Sequence, residues 1–408
     1  MSAHTVTRAE PIAGSRLQSL DVMRGVVMIL MAIDHVRVYS GVPAGGPSPG
    51  VSFTRWITHF CAPAFVFFAG TSAFLHASVG LHGRTGRPAL AGPEVRPTLE
   101  SLERYLLTRG AVLVLLELTV IRVAWTFNLD FANYILAGVI WMIGWCLILL
   151  ALMVRLPVAA IATIGAAIVA GHNLVDAHLQ QLIPAAQASR LFWLWRVLYF
   201  GPTAGGDGPF VVLYSLIPWI GVMALGYAFG AVMTLEPARR RRLGAWLGLA
   251  ATAAFVVLRA ARLYGEPRPW NGASALGFLN TTKYPASLQF LLMTLGPTIA
   301  LLPLAERGRG TLTKALAVFG RVPLVYYLLH IPVIHAAALV VSLGREGRVN
   351  PWLFANHPMM NPPPPPGYMW SLPLLYLVFA IVIALLYLPC RWFGALKARH
   401  RTGWIRYL

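Results

Sequence analysis

The sequence predicts an all-α, polytopic integral membrane protein of about 10 transmembrane helices, with both termini in the cytoplasm (N-in/C-in). Three observations predict it. Apolar residues make up 57% of the 408 residues and charged residues only 12%, whereas a soluble domain averages about 45–50% apolar and about 25% charged. Apolar runs recur along the whole chain at roughly the 20-residue length that crosses a bilayer. Short basic clusters fall between them, and the mean hydropathy is +0.65.

The expected spans are 20–40, 55–78, 104–126, 133–154, 156–171, 210–234, 242–261, 285–305, 315–342 and 370–392. The fifth is short and rich in Ala and Gly. Residues 188–200 (ASRLFWLWRVLYF) are aromatic with two arginines. They read as an interfacial helix, because Trp and Tyr favour the headgroup layer.

Orientation follows from the loops. With the N-terminus inside, the inner segments hold 19 Lys and Arg and the outer ones 7, the bias expected of cytoplasmic loops. An even number of spans keeps both basic ends on that side. The chain therefore divides into a tail (1–19), one membrane domain (20–392) and a basic tail (393–408), placed in the cell inner (plasma) membrane. Residues 83–98 read as a flexible linker, and 361–367 (NPPPPPG) as a stiff polyproline segment. The first apolar run lacks a small-residue cleavage site and contains Asp34 and His35, so it is expected to be a retained span rather than a cleaved signal.

Several functions are excluded. The net charge of +19 is dispersed among membrane-flanking loops, which speaks against nucleic acid. Cys61, Cys146 and Cys390 have neither metal-ligand spacing nor a disulfide framework. No Walker, GxSxG, HExxH or CxxC motif occurs, so no metal is expected.

Ionisable groups inside spans are costly and so mark function by default, or else hold helices together. The first span is the richest. Asp21 and Arg24 share a face at its cytoplasmic end, either as a helix-start pair or as part of a site. Eleven residues on from Arg24, roughly 16 Å along a helix, His35 lies in the outer half with Asp34 and Arg37 beside it. A histidine next to a carboxylate can act as an oriented general base; the plain alternative is a buried structural histidine. Arg55 and His59 share a face at the outer entrance of the second span, where His59 can approach His35. Ala69-Gly70-Thr71-Ser72-Ala73 suit close helix packing. Glu117 and Arg122 interrupt an aliphatic run, as an ion pair or with separate partners. Asn128, Asp130 and Asn133 follow in an outer loop and are candidates to contact a polar acceptor. Asn280, Lys283 and Tyr284 lie where a substrate would enter. His330 falls at mid-depth, and His335 nearer the surface.

RLQSLDVMRGVVMILMAIDHVR resembles the opening of bacterial multi-span proteins related to the catalytic domain of heparan-α-glucosaminide N-acetyltransferase. CAPAFVFFAGTSAFL, LLELTVIRVAWTFN, FLNTTKYPASLQFLLMTLGP, FGRVPLVYYLLHIPVIH and PCRWFGALKARHRTGWIRYL look like further blocks of that family. The likeness thus spans nearly the whole chain. The first span is also similar to wider membrane acyltransferases that share an Arg, ten residues and a His, here Arg24 and His35. The loop SGVPAGGPSPGVSFT has no histidine where the lysosomal member of the family places one. The resemblance therefore directs the chemistry to His35 or His59.

The resemblance implies an acyltransferase that takes an acyl group, acetyl by preference, from cytoplasmic acetyl-CoA to a glycan or amino sugar on the outer side. His35, aided by Asp34 and with His59 nearby, is expected to be catalytic. Arg24, Arg37 and Arg122 suit CoA phosphates. Asn280 and Lys283 suit the acceptor or the thioester oxygen, and Glu117 and His330 complete the expected site. The alternative is a proton-coupled transporter of a polar or anionic solute, with Asp34, Glu117 and the histidines as relay. The absence of an internal repeat speaks against it. Small-residue faces would permit a homodimer.

Overall fold

The computed structural model describes residues 17–46, 48–82, 99–204, 208–356 and 362–399. The expected linker 83–98, most of the N-terminal tail and the last residues of the C-terminal tail lie outside them. So does Asn361 of the proline-rich stretch.

A helix stands at each of the ten expected spans. In chain order these are α1 (Gln18–Ser40), α2 (Pro49–Ile57) leading into α3 (Cys61–His82), and α4 (Leu99–Leu116) running through a π-helical turn (Glu117–Ile121) into α5 (Arg122–Thr126). Then come α6 (Val139–Met153), α7 (Val158–Gly171), the short α8 (Leu179–Gln187) and α9 (Phe192–Trp195), α10 (Ile217–Met233) and α11 (Pro237–Ala260). The chain closes with α12 (Ala275–Leu279), α13 (Leu288–Ala300), α14 (Leu302–Arg307), α15 (Thr311–Gly320), α16 (Pro323–Glu346) and α17 (Leu372–Arg399).

Six segments among the described residues are long and apolar enough to cross a membrane: Pro49–Ala77, Val158–Asp176, Pro237–Ala260, Leu288–Arg307, Pro323–Glu346 and Leu372–Arg399. Three shorter helices, Val139–Met153, Ile217–Met233 and Thr311–Gly320, are also apolar. The short fifth span thus gains length from a 3-10 extension at its end, His172–His178. α1 and the α4–α5 run have the length but carry too many charges to qualify by composition. Asp21, Arg24, Asp34, Arg37, Glu117 and Arg122 among those charges are the ones that drew attention in the sequence.

The outer helices show a membrane signature. On α17, Leu375, Val378, Val382 and Leu386 are buried while Leu377, Ile381, Leu385 and Leu388 are exposed. A helix facing water would place polar residues on that second face; one facing lipid has no reason to.

Two expected helix starts differ. The residues before α6 and α10 form short parallel strands, β1 (Ile135–Ala137) and β2 (Phe210–Val212), paired Ile135 to Phe210. Backbone that is not helical must find partners within the protein at this depth, and each strand supplies them to the other. Of the expected interfacial helix, Phe192–Trp195 is α-helical and Arg196–Phe200 π-helical. Its Trp193 and Trp195 project outward, and Tyr199 and Phe200 pack inward.

Close crossings fix the bundle around α1, which packs on α3, α15, α16 and α17. Gly25 lies under the Leu316 carbonyl, and Gly320 under that of Asp21. α3 crosses α10 at Gly70 and Gly226, where Thr71 Oγ1 donates to the Gly226 carbonyl at 2.9 Å. Small residues let helix backbones approach in lipid. A Cβ on Gly226 would strike the Phe67 carbonyl. Gly226→Leu is therefore expected to cost more than about 3 kcal/mol by overpacking, read as a lower melting temperature in detergent.

Candidate active site

α1 ends at Gly41, whose φ of 71° is the left-handed conformation that closes a helix. One and a half turns before that end stands His35, 7% exposed. Its Nδ1 lies 2.7 Å from Nε2 of His330 on α16. The proton positions follow from the next link. His330 Nδ1 faces the carbonyls of Tyr327 at 2.7 Å and Tyr326 at 3.1 Å. Carbonyls only accept, so this nitrogen carries hydrogen and His330 Nε2 presents a lone pair. His35 Nδ1 must then donate to it, which leaves the lone pair of a neutral His35 on Nε2. Among the described residues nothing hydrogen-bonds that Nε2. The Trp125 ring stands edge-on to His35 at 4.7 Å, and Tyr39 holds the Trp125 carbonyl through a 2.6 Å bond.

Among the described residues Asp34 makes no hydrogen bond to His35. Its carboxylate accepts from Arg37 Nε at 2.9 Å and from Arg55 Nη1 at 3.0 and 3.1 Å, so it tethers two guanidinium groups while His330 orients His35. Arg37 also donates to the Val42 carbonyl. His59 is 6% exposed, lies edge-on to Phe290, and its Nδ1 has no hydrogen-bond partner among the described residues. Lys283 lies within electrostatic range of Asp34, His35 and His59. Its Nζ stands 5.2 Å over the Tyr284 ring and 5.9 Å over that of Tyr214. The far end of α1 thus gathers six expected residues: Asp34, His35, Arg37, His59, Lys283 and His330.

Arg24, at the near end of α1, lines a cavity of about 210 Å³ with Arg109, Arg321 and Lys397. It bonds the Phe68 carbonyl at 2.8 Å and Ser72 Oγ. Arg109 lies against Tyr105, donating to its hydroxyl at 3.1 Å, and Arg321 stands 3.9 Å from the Asp21 carboxylate. Most of the remaining wall is apolar, including Phe65, Val139, Ile140 and Ile143. Tyr327 also lines the cavity, and its carbonyl is the nearer of the two that accept from His330 Nδ1. Cavity and histidine pair therefore share a residue.

The other expected residues stand apart. Glu117, 1% exposed, accepts from the backbone of Ile140 at 3.1 Å and caps the start of α6. Arg122 is fully buried and binds the carbonyls of Tyr134, Asn128 and Asp130. It clamps the loop after α5, and Glu117 and Arg122 do not pair with each other. Asn128 and Asp130 are tied to Asn356, and Asn133 to Asp130. Asn280 is exposed and lends its carbonyl to Arg259. His335 is fully buried, stacked on Phe127 at 3.8 Å and on Tyr39 at 4.7 Å.

Sequence reasoning passed over Tyr105, Arg109 and Lys397. The four-residue spacing of Tyr105 and Arg109 puts them on one helix face and was the available signal. Lys397 had none, since basic residues after a last span are ordinary.

A family model described as "Heparan-alpha-glucosaminide N-acetyltransferase, catalytic" matches residues 16–263. No curated protein matches the chain. The matched stretch holds Arg24, Asp34, His35, Arg37, Arg55, His59 and Arg109, while Lys283, Arg321, His330 and Lys397 follow it.

Proposed function

Because the chain belongs to the heparan-alpha-glucosaminide N-acetyltransferase catalytic family, we propose that it is a membrane-embedded acyltransferase. It moves an acyl group, acetyl by preference, from acyl-CoA at the four-cation cavity to an amine or hydroxyl of a sugar at the His35 end. The observation that carries this is the link through Tyr327. The cavity wall and the carbonyl that sets the histidine protons belong to one residue.

The donor fits the cavity by chemistry. Arg24, Arg109, Arg321 and Lys397 offer guanidinium and ammonium groups for phosphates, and the apolar wall suits the arm that carries the thioester. His35 Nε2 takes the proton from the acceptor N–H or O–H as the heteroatom attacks the thioester carbonyl. The carbon–sulfur bond then breaks, the proton passes to the leaving sulfur, and free CoA and acylated acceptor result. The His35 Nδ1 hydrogen stays bonded to His330 Nε2, and the His330 Nδ1 hydrogen to the Tyr327 carbonyl, so Nε2 holds the lone pair before it takes the proton and regains it on giving the proton up.

For topology we retain ten crossings with both termini cytoplasmic, in the inner membrane. The surplus of Lys and Arg on one set of loops supports this. The cavity then faces the cytoplasm, where acyl-CoA is made, and the histidine pair faces outward. Glu117 and Arg122 serve this site by holding the start of α6 and the loop after α5.

The test is thiol release by purified protein in liposomes given acetyl-CoA, with and without glucosamine. Acceptor-dependent release of free CoA is expected. No release with any short acyl-CoA and any amino sugar, together with solute uptake that needs no thioester, would overturn the proposal in favour of transport.

A further inference from the structure

The far end of α1 holds more positive charge than its own residues balance. Arg37 and Arg55 share one carboxylate, Asp34. Lys283 is 8% exposed, and among the described residues its ammonium makes neither an ion pair nor a hydrogen bond. An unpaired buried charge costs several kcal/mol even after relaxation, at roughly the level of a whole buried ion pair. Two tyrosine faces offset only part of it, since such a contact contributes about 0.5–2 kcal/mol.

The protein nevertheless builds a frame to hold Lys283 there. Lys283 and Ala286 bridge across a tight hairpin. The buried Glu266 grips both flanks of it, accepting from Thr282 N at 2.9 Å, from Thr282 Oγ1 and from Ser287 Oγ at 2.8 Å. His172 Nε2 donates to the Ala286 carbonyl at 2.8 Å, and Asn173 accepts from Leu288 N at 2.7 Å. Glu266 makes no ion pair with Lys283 among the described residues, and its carboxylate also interacts with Arg259 and accepts from the Arg268 backbone N–H. Arg268 also donates to Thr282 Oγ1.

From the surplus charge and the frame we infer that Lys283 is the specificity-determining residue for an acceptor bearing an oxyanion, a carboxylate, sulfate or phosphate ester, which it binds while His35 faces the reacting amine or hydroxyl. The inference rests on the acyl-transfer proposal for the reaction but not for the binding. The missing counter-charge comes with the substrate, so a neutral sugar leaves the ammonium unpaired and binds less well.

The experiment compares glucosamine with glucosamine 6-phosphate, using the full chain in detergent or liposomes. Wild-type protein is expected to favour the phosphate in kcat/KM by about tenfold or more, the worth of one charge-assisted hydrogen bond. Lys283→Met is expected to erase the preference and Lys283→Arg to keep most of it, with KM for acetyl-CoA unchanged in both. Inorganic sulfate is expected to compete with glucosamine 6-phosphate, and Lys283→Met to remove that competition. Equal use of both sugars by wild type would overturn the inference. So would an equal fall in kcat for both sugars in Lys283→Met, the mark of a group that steadies the reaction's oxyanion. Binding of glucosamine 6-phosphate without CoA, followed by tryptophan fluorescence, separates the two proposals. Lys283-dependent binding without any transfer keeps the anion site and sinks the acyltransferase, whereas binding indifferent to Lys283→Met sinks the anion site.

Discussion

Replacing His35 by alanine is expected to lower acceptor-dependent acyl transfer about 10²- to 10⁴-fold, the usual contribution of a positioned general base, while acyl-CoA binding is unchanged. The histidine lies outside the residues that line the four-cation cavity, so its loss removes the base and leaves the donor in place. His330→Ala is expected to cost less, about 10- to 100-fold. It removes the acceptor of the His35 Nδ1 hydrogen and lets the ring turn or change tautomer, but His35 itself remains. His330→Gln, whose carbonyl oxygen can accept that hydrogen, is expected to recover part of the loss. Equal loss in both His330 variants would mean that packing rather than proton placement is what His330 supplies. Thiol release, measured beside melting temperature in detergent, separates an inactive protein from an unfolded one.

Reversing charge in the cavity gives the second large effect. Arg109→Glu is expected to raise KM for acetyl-CoA about 10- to 100-fold with kcat nearly unchanged, since each charge-assisted hydrogen bond is worth roughly 1.5–3 kcal/mol. Arg109 is chosen because Arg24 also braces α1 against α3 through Phe68 and Ser72. Acetyl-pantetheine is the control. It carries the thioester but no phosphate, so its KM should be indifferent to Arg109→Glu. A parallel rise for both donors would show that the substitution distorts the cavity instead of removing a phosphate contact.

Much of this was legible in the sequence, for a physical reason. Lipid tolerates few ionisable groups, so each one inside an apolar run stands out. His35, His59 and His330 were visible in this way, and Lys283 at the outer edge of the eighth span, although they come from four separate stretches of chain, and the bundle brings them to one end of α1. The pairing among them was not visible. Asp34 lies beside His35 in sequence, yet adjacent residues on a helix point in different directions, and the carboxylate meets Arg37 and Arg55 instead. His330 is 295 residues from His35, and no local pattern announces such a contact. Arg122 was misleading for a similar reason. A buried guanidinium can serve a ligand or a set of loop carbonyls, and only the course of the chain after Thr126 shows that it binds Tyr134, Asn128 and Asp130. The helices were predictable in place but not always in extent, because the strands before α6 and α10 depend on each other across 75 residues.

The most direct test is a cryo-electron microscopy map of the purified protein with bound CoA. The adenine and phosphates should lie beside Arg109, Arg321 and Lys397, with the thiol running past Ile140 and Tyr327 toward His35. Density for CoA at the Lys283 end, or a thiol pointing away from Tyr327, would contradict the division of donor and acceptor between the two ends of α1.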